Sequence, residues 1–501
     1  MGYALTRSVA LIGGTAHVVA IEADAVPGDA GLHLVGLPEL SVWPARARIR
    51  AAILNSGTAW PDARITVSVS PAIPLGHDAA ADLALAMASL AAAGLIPAEQ
   101  TAGWVFVGEL ALDGGIRPVR DALPMVQAAV RAGRSRVVVP AECAREAAQV
   151  PGAMVMPVTR LADVIDQLRH KALFRHDQEP GPAPSSSFAL DLADVPGNQV
   201  ARRALEICAA GGHHLFMLGD GPAIMLAERL PGVLPPLGPD MAREVAEIHS
   251  WAEGLDGRPA TMPPFHAPHH SITAAAMLGG NGSGLVRPGA VSLAHHGVLY
   301  MGEAPEFSRQ ILDGLRRPLE TGQVILAHAE HSLTLPARFM LVMSARQCPC
   351  TSAEPCRCPP LVRRRYLNRL AGLLERVEVR VRLQPTPWPS TPGEPTAVVA
   401  ARVWEARERA AARLADTPWT TNSQVPALEL RTVYRADPAA VEVLRSALDS
   451  GLLTSASFTR VLRVAWTLAD LRGADRPSHD DAGEALQLWT LWTDGAVGPA
   501  H

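Results

Sequence analysis

Apolar and polar positions alternate with a period of two across Val9–Ile12, Ala16–Ile21 and Leu32–Val35. That is the pattern of strands that bury one face. Ala45–Leu54 changes to helical spacing, Ile65–Ser70 returns to a strand, and Asp82–Ala93 reads as a helix of small apolar residues suited to close packing on a sheet. Val105–Gly108 and Val137–Pro140 are further strand candidates, with the helical stretch Ala122–Ala132 between them. The pattern predicts an α/β or α+β unit over residues 1–170.

Residues 171–188 are rich in Pro, Ser and Gly and read as a linker. A second α/β block spans 189–385. Its landmarks are the helix Ala201–Ala210, strand His214–Leu218, helix Ile224–Leu230 and strands Gly297–Met301 and Phe339–Met343. A Pro-rich break at 386–396 leads to a helical region, 397–498, with amphipathic stretches Ala397–Leu414, Pro438–Ser450 and Ser457–Leu471. Asp437 before Pro438 is a plausible N-cap with proline at the first helical position.

Composition narrows the chemistry. The 501 residues fit about three domains. A net charge of −4 excludes a general polycation, so any nucleic-acid surface must be a local patch. Aromatic residues make up 4%, so the cores must be built from Ala, Val and Leu. Six cysteines and no cleavage-site pattern point to a reducing cytoplasm. The longest apolar run, Leu83–Ile96, is too short to span a bilayer, so no membrane partner is expected. Of the 45 lysines and arginines, one is a lysine, Lys171, and no glycine stands near it. An intact G-x-x-x-x-G-K-[ST] phosphate loop is therefore excluded.

The middle block carries long specific phrases: RALEICAAGGHHLFMLG, PPFHAPHHS, RPGAVSLAHHGVLYMGEAPEFSRQILDGLRRPLETG, LPARFMLV and CPC. Together they closely resemble the YifB/ComM family of magnesium-chelatase-like AAA+ ATPases, over nearly the whole chain. The resemblance implies an α/β architecture with a Lon-protease-like N-terminal domain, an AAA+ (P-loop NTPase-like) α/β core and a C-terminal helical lid. It also implies the hexameric ring of a motor and, from ComM, DNA branch migration in natural transformation.

The ATPase motifs depart from that family. Where its Walker A loop reads GPPGSGKT, this chain has Gly219-Asp220-Gly221-Pro222-Ala223-Ile224, two residues shorter and without the Lys and Thr. Those groups neutralise phosphate charge and hold Mg²⁺. Asp220 and Glu228 add repulsive charge nearby. Gly302 replaces the Walker B Asp, while Glu303 remains where the water-orienting carboxylate belongs. The family's sensor Asn falls on Arg346 and its lid sensor Arg on Ala456. Arg376 in LLERVE matches the position of an arginine finger. The degraded loop is expected to bind ATP poorly if at all, and the loss of the Walker B Asp argues against Mg²⁺. Gly219 and Gly221 before a helix leave a weak anion site at most. In the N-terminal block Ala80 falls where a Lon-type serine would stand, and no lysine is available, so a Ser–Lys dyad is excluded. His77 and Asp78 are adjacent in a loop, and neighbouring side chains there seldom face one another.

Cys348, Cys350, Cys356 and Cys358 form C-x-C-x5-C-x-C between prolines, a set suited to a tetrahedral structural Zn²⁺, against a reduced metal-free or redox-labile loop. Cys143 and Cys208 read as core. His266, His269 and His270 read as a structured loop rather than a metal site. Arg363, Arg364, Arg365 and Arg369, followed by Arg376, Arg380 and Arg382, form a local basic run: a nucleic-acid surface or a set of ion pairs with Glu375 and Glu378. The expectation is a pseudo-ATPase with a scaffolding or DNA-associated role, in a homo-oligomer or a mixed AAA+ ring. The alternatives are a DNA motor completed by an intact partner subunit, with Arg376 acting in trans, and a magnesium-chelatase-like ATPase subunit.

Overall fold

The computed structural model describes residues 2–12, 15–72, 79–119, 121–170, 190–253, 261–282, 285–327, 332–350, 356–384 and 393–490. Lys171, His77, Asp78, the 171–188 linker and most of 386–396 lie outside these residues.

The amino-terminal sheet is seven-stranded among the described residues. Its strands are β1 (Tyr3–Ile12), β2 (Thr15–Val26), β3 (Gly31–Val35), β4 (Arg64–Ser70), β5 (Val105–Phe106), β6 (Arg136–Pro140) and β7 (Met154–Val158), in the order β3-β4-β2-β1-β5-β6-β7. β1 and β2 form a long antiparallel pair, and β5, β6 and β7 run parallel. Alternation does what the sequence requires: in β4 Ile65, Val67 and Val69 are buried between exposed or half-exposed neighbours. Helix α1 (Glu39–Asn55) is longer than its periodicity indicates and accommodates Pro44 in its first turns. Every residue of α2 (Asp82–Ala92) is buried, which its Ala-rich composition permits at close approach to the sheet. Asp82 at its start accepts two hydrogen bonds from the Arg48 guanidinium, at 2.6 and 3.1 Å. Ala80, at the position of a Lon-type serine, is a buried methyl group. α3 (Ala122–Arg131) packs on β1 and β2, and α4 (Leu161–His170) closes the unit.

The second sheet is parallel and five-stranded among the described residues. Its strands in chain order are β8 (Leu215–Leu218), β9 (Phe265–His266), β10 (Val298–Met301), β11 (Met340–Ala345) and β12 (Val379–Arg382), arranged β9-β10-β11-β8-β12. β8 therefore sits between β11 and β12, and the chain leaves the carboxyl end of β8 at Gly219. Open α/β sheets bind ligands at such a point. α5 (Gln199–Gly211) precedes β8; α6 (Ala223–Glu228) follows the turn. α7 (Pro239–Glu253) reaches toward α3, with Ala246 in the same apolar cluster as Val126 and Ala129.

The carboxyl-terminal helices are α9 (Thr396–Arg413), α10 (Pro438–Asp449), α11 (Ser455–Arg472) and α12 (His479–Thr490), preceded by α8 (Pro360–Asn368) beside the cysteines. Asp437 stands at the N-cap of α10 but its side chain makes no cap hydrogen bond; α11 instead has a reciprocal Thr454–Ser457 capping box. The helices share one apolar cluster with the sheet, running from Leu205 and Leu215 to Val461 and Trp466. Polar contacts cross the same junction. Arg407 donates to the Ala209 carbonyl, Arg402 pairs with buried Glu206 at 2.6 Å, and the Arg380 guanidinium lies 3.7 Å from the Trp489 ring centre. Arg380 is thus buried on β12, not part of a surface run, because α12 packs over the strand.

Candidate functional site

The turn after β8 is held tightly to the fold. The Gly219 amide donates to the Ala345 carbonyl at 2.9 Å, and the Ala223 amide donates to the Gly221 carbonyl at 2.8 Å. Pro222 has no N–H. Of the amides from 219 to 223, at most those of Asp220 and Gly221 can face a ligand, whereas a phosphate cradle uses several in succession. Gly219 has φ +126°, and a side chain there would meet the Leu383 carbonyl. The following helix, α6, is only six residues long, and Asp220 and Glu228 are exposed beside it.

Across the cleft, Gly302 follows β10. A β-carbon at Gly302 would lie 3.1 Å from the Tyr300 ring, so this ring occupies the space into which a Walker B carboxylate would project. The Tyr300 hydroxyl is 2.8 Å from the Ser344 hydroxyl on β11. Burial, with Glu228 and Glu303 nearby, raises the Tyr300 pKa above the usual phenol value.

Glu303 has a left-handed backbone, φ 51°, at the head of the short turn Ala304–Glu306. Positive φ in a non-glycine residue is a strained state that neighbouring contacts must hold. Its carboxylate lies 3.1 Å from Arg346 Nη2 and 3.5 Å from His270 Nδ1. Glu303, expected from the sequence to orient water, is thus engaged in an ion pair with Arg346, expected at the sensor position. Ala456, where the lid sensor Arg would stand, is exposed in the first turn of α11. Arg376 pairs with Glu320 and also donates to the Gly372 carbonyl at 2.6 Å, so the candidate finger is engaged within its own chain.

The four clustered cysteines converge. All four sulfurs lie within 4.8 Å of one another, with Cys350 Sγ and Cys356 Sγ 3.4 Å apart. Tetrahedral zinc thiolates, with Zn–S near 2.3 Å, place sulfurs about 3.8 Å apart, so the donor set fits such an ion. Cys348 is buried and the other three are half-buried. Cys143 and Cys208 are buried singly, and burial raises both thiol pKa values.

Of the arginine run, Arg364 and Arg365 are exposed on α8. Arg363 donates to the Cys358 carbonyl and Arg369 to the Phe307 carbonyl. These two brace the cysteine loop and the Glu303 turn.

A second cluster was not legible in the sequence, because its members are 51 residues apart. Glu244 on α7 lies 3.0 Å from His295 Nε2 and 2.8 Å from His296 Nε2. Its hydrogen bonds argue against a metal. His295 Nδ1 accepts the Arg338 amide at 3.0 Å, so in the neutral ring Nε2 must carry the proton that it gives to Glu244. A metal would need that lone pair. His266 and His269 do not join such a group: His266 packs its ring near His249, and His269 Nδ1 is 2.8 Å from the Ser271 hydroxyl.

Comparison with known proteins extends the motifs to the whole chain. The magnesium chelatase subunit ChlI family model matches residues 191–390, a second ChlI model matches 21–143, and the ChlI C-terminal model matches 393–489. An uncharacterized protein of Mycobacterium tuberculosis is 45% identical over 96% of this chain and 97% of its own. YifB of Escherichia coli is 35% identical and the competence protein ComM of Haemophilus influenzae 34% identical, each over 97% of both chains. No helix among the described residues is long and apolar enough to cross a membrane.

Proposed function

We propose that this chain, which belongs to the magnesium-chelatase-like AAA+ family that includes YifB and ComM, is a pseudo-ATPase subunit: it keeps the motor fold and serves as a scaffold, associated with DNA, with little or no ATP hydrolysis. The observation that carries this reading is the Glu303–Arg346 pair. A general base must be free to orient water, and the Glu303 carboxylate is instead held 3.1 Å from Arg346 Nη2. The Tyr300 ring over Gly302 and the closed turn at Gly219 support the same reading from the Mg²⁺ and phosphate sides. ATP would bind weakly or not at all, and Mg²⁺ would lack its organising Asp.

The subunit would assemble as a homo-oligomer or take a silent place in a mixed AAA+ ring. The trans-finger alternative requires Arg376 to leave Glu320. We assign Zn²⁺ to Cys348, Cys350, Cys356 and Cys358, as a structural ion on the fit of the four sulfurs, and a DNA-backbone contact to the exposed Arg364 and Arg365 beside them.

Calorimetric titration with ATP, with and without DNA, tests the central reading. No saturable heat and no turnover above background is the expected result. A turnover rate that Glu303→Gln abolishes would overturn it.

A further inference from the structure

We propose that metal capture by the four cysteines sets the Arg346–Glu303 clamp, so that the cysteine knuckle governs the order of the cleft. The inference rests on the zinc reading above. One short segment at the end of β11 joins three features. The Ala345 carbonyl accepts the Gly219 amide, Arg346 reaches Glu303, and Cys348 enters the sulfur cluster. Cys348 is two positions beyond Arg346, with only Gln347 between them, a reach of at most about 7 Å, so fixing the cysteine fixes the arginine backbone.

A second arm approaches the same turn from the far side of the knuckle. Arg363 Nη2 donates to the Cys358 carbonyl at 3.3 Å, which ties α8 to the loop. The same helix carries Tyr366, 6% exposed, whose pKa is raised by burial and by neighbouring Glu306 in the Glu303 turn. Arg369 at the end of α8 donates at 2.9 Å to the Phe307 carbonyl, one residue beyond Glu306. The knuckle is therefore flanked in sequence by two segments that both grip residues 303–307.

Without a metal, four thiols at this separation hold one another only through weak S–H donors. With one, the ends of β11 and α8 are bolted together. Folding of such a loop is linked to metal binding, and the segments attached to it inherit that linkage. Glu303 is the responsive end, because its left-handed backbone depends on the contacts that hold it.

The test uses the full-length protein, loaded with zinc and then stripped by a chelator, with hydrogen–deuterium exchange read on peptides covering 302–308 and 360–369. The Glu306 and Phe307 amides donate within the turn, to Glu303 and Ala304, and are the reporters. Metal removal is expected to speed their exchange by about tenfold or more, reversibly on adding zinc back. In Arg346→Ala the 302–308 peptide should exchange faster with zinc bound and respond less to its removal, the α8 arm alone remaining, while 360–369 still responds. Stoichiometric zinc binding with unchanged exchange at 302–308 would overturn the coupling but leave the metal site standing. Failure to bind zinc in a folded, reduced sample would remove both.

Discussion

Leu383 packs against Gly221 so closely that a β-carbon on the glycine would lie 2.7 Å from the Leu383 β-carbon. The residue just past β12 thus fills the space beside the turn that follows β8. The turn lies down on the neighbouring strand end: the Leu383 amide donates to the Leu218 carbonyl, and both Gly219 and Gly221 lie against Leu383.

Gly221→Ala should therefore destabilise the protein by about 1–3 kcal/mol, the usual cost of overpacking. Leu383→Gly removes that β-carbon, which alanine would keep, so the double variant should lose less than the sum of the two single losses. A double-mutant cycle by chemical denaturation reads the coupling, and additive effects would show that the two residues do not share the space.

Restoring the Walker B carboxylate alone should fail. Gly302→Asp places its β-carbon 3.1 Å from the Tyr300 ring, so we expect lower thermal stability and no gain in ATP turnover. Glu303→Gln should leave turnover at the same background as the parent chain. A rate above background in Gly302→Asp would mean that the ring yields readily and the cleft is only one substitution from activity.

Acid should loosen the junction between the carboxyl-terminal helices and the sheet. His213 is fully buried, with Nε2 2.8 Å from the Thr467 hydroxyl of α11. Burial lowers its pKa to about 4; Glu378 opposes the shift, while Arg463, His214 and Arg407 reinforce it. The unfolded chain takes up a proton below about 6.5, the folded chain only near 4. Stability is therefore complete above pH 6.5 and is lost as the pH falls toward 4, by at most about 3 kcal/mol from this group. The melting temperature should fall over that range, and His213→Gln should make the slope shallower. An unchanged slope would assign the acid sensitivity elsewhere.

Asp470 should be among the most sensitive positions in the carboxyl-terminal helices. Its buried carboxylate accepts both Arg413 nitrogens, at 2.6 and 2.7 Å, and the Asn422 amide at 2.8 Å. Asp470→Asn leaves the Arg413 guanidinium without its counter-charge and should cost about 3 kcal/mol in unfolding free energy. A loss below about 1 kcal/mol would show that Arg413 finds solvent instead.

For DNA, replacing Arg364 and Arg365 with alanine should weaken binding and reduce the slope of log affinity against log salt by about 2 in a titration with duplex or single strands. Arg363→Ala should act mainly on stability, because its guanidinium is tied to the Cys358 carbonyl. Equal losses from all three would contradict that division.

The sequence alone located much of the order of elements and raised the expectation that the ATPase groups are lost. Period-two alternation located β1, β2 and β4, small residues located α2, and the absence of a suitable lysine excluded an intact G-x-x-x-x-G-K-[ST] loop. The strand β7 and helix α4 were not read: Met154–Val158 is only five residues long, and α4 was passed over although Leu161, Val164, Ile165 and Leu168 recur at helical spacing and are buried. Spacing also made the cysteines a unit, and the sulfurs do converge.

What the tertiary structure decided is where the remaining groups point. Arg346 and Glu303 are 43 positions apart, and only the parallel pairing of β10 with β11 sets their side chains against each other. Arg380 and Arg364 belong to the same basic run in sequence, yet α12 covers one with Trp489 and helix geometry exposes the other. Glu244 reaches His295 and His296 only because α7 packs beside the short helix Ala290–Leu293 that precedes them. Local composition fixes the secondary structure and the chemistry available. The partner of each charge depends on strand order and register, which non-local contacts alone determine.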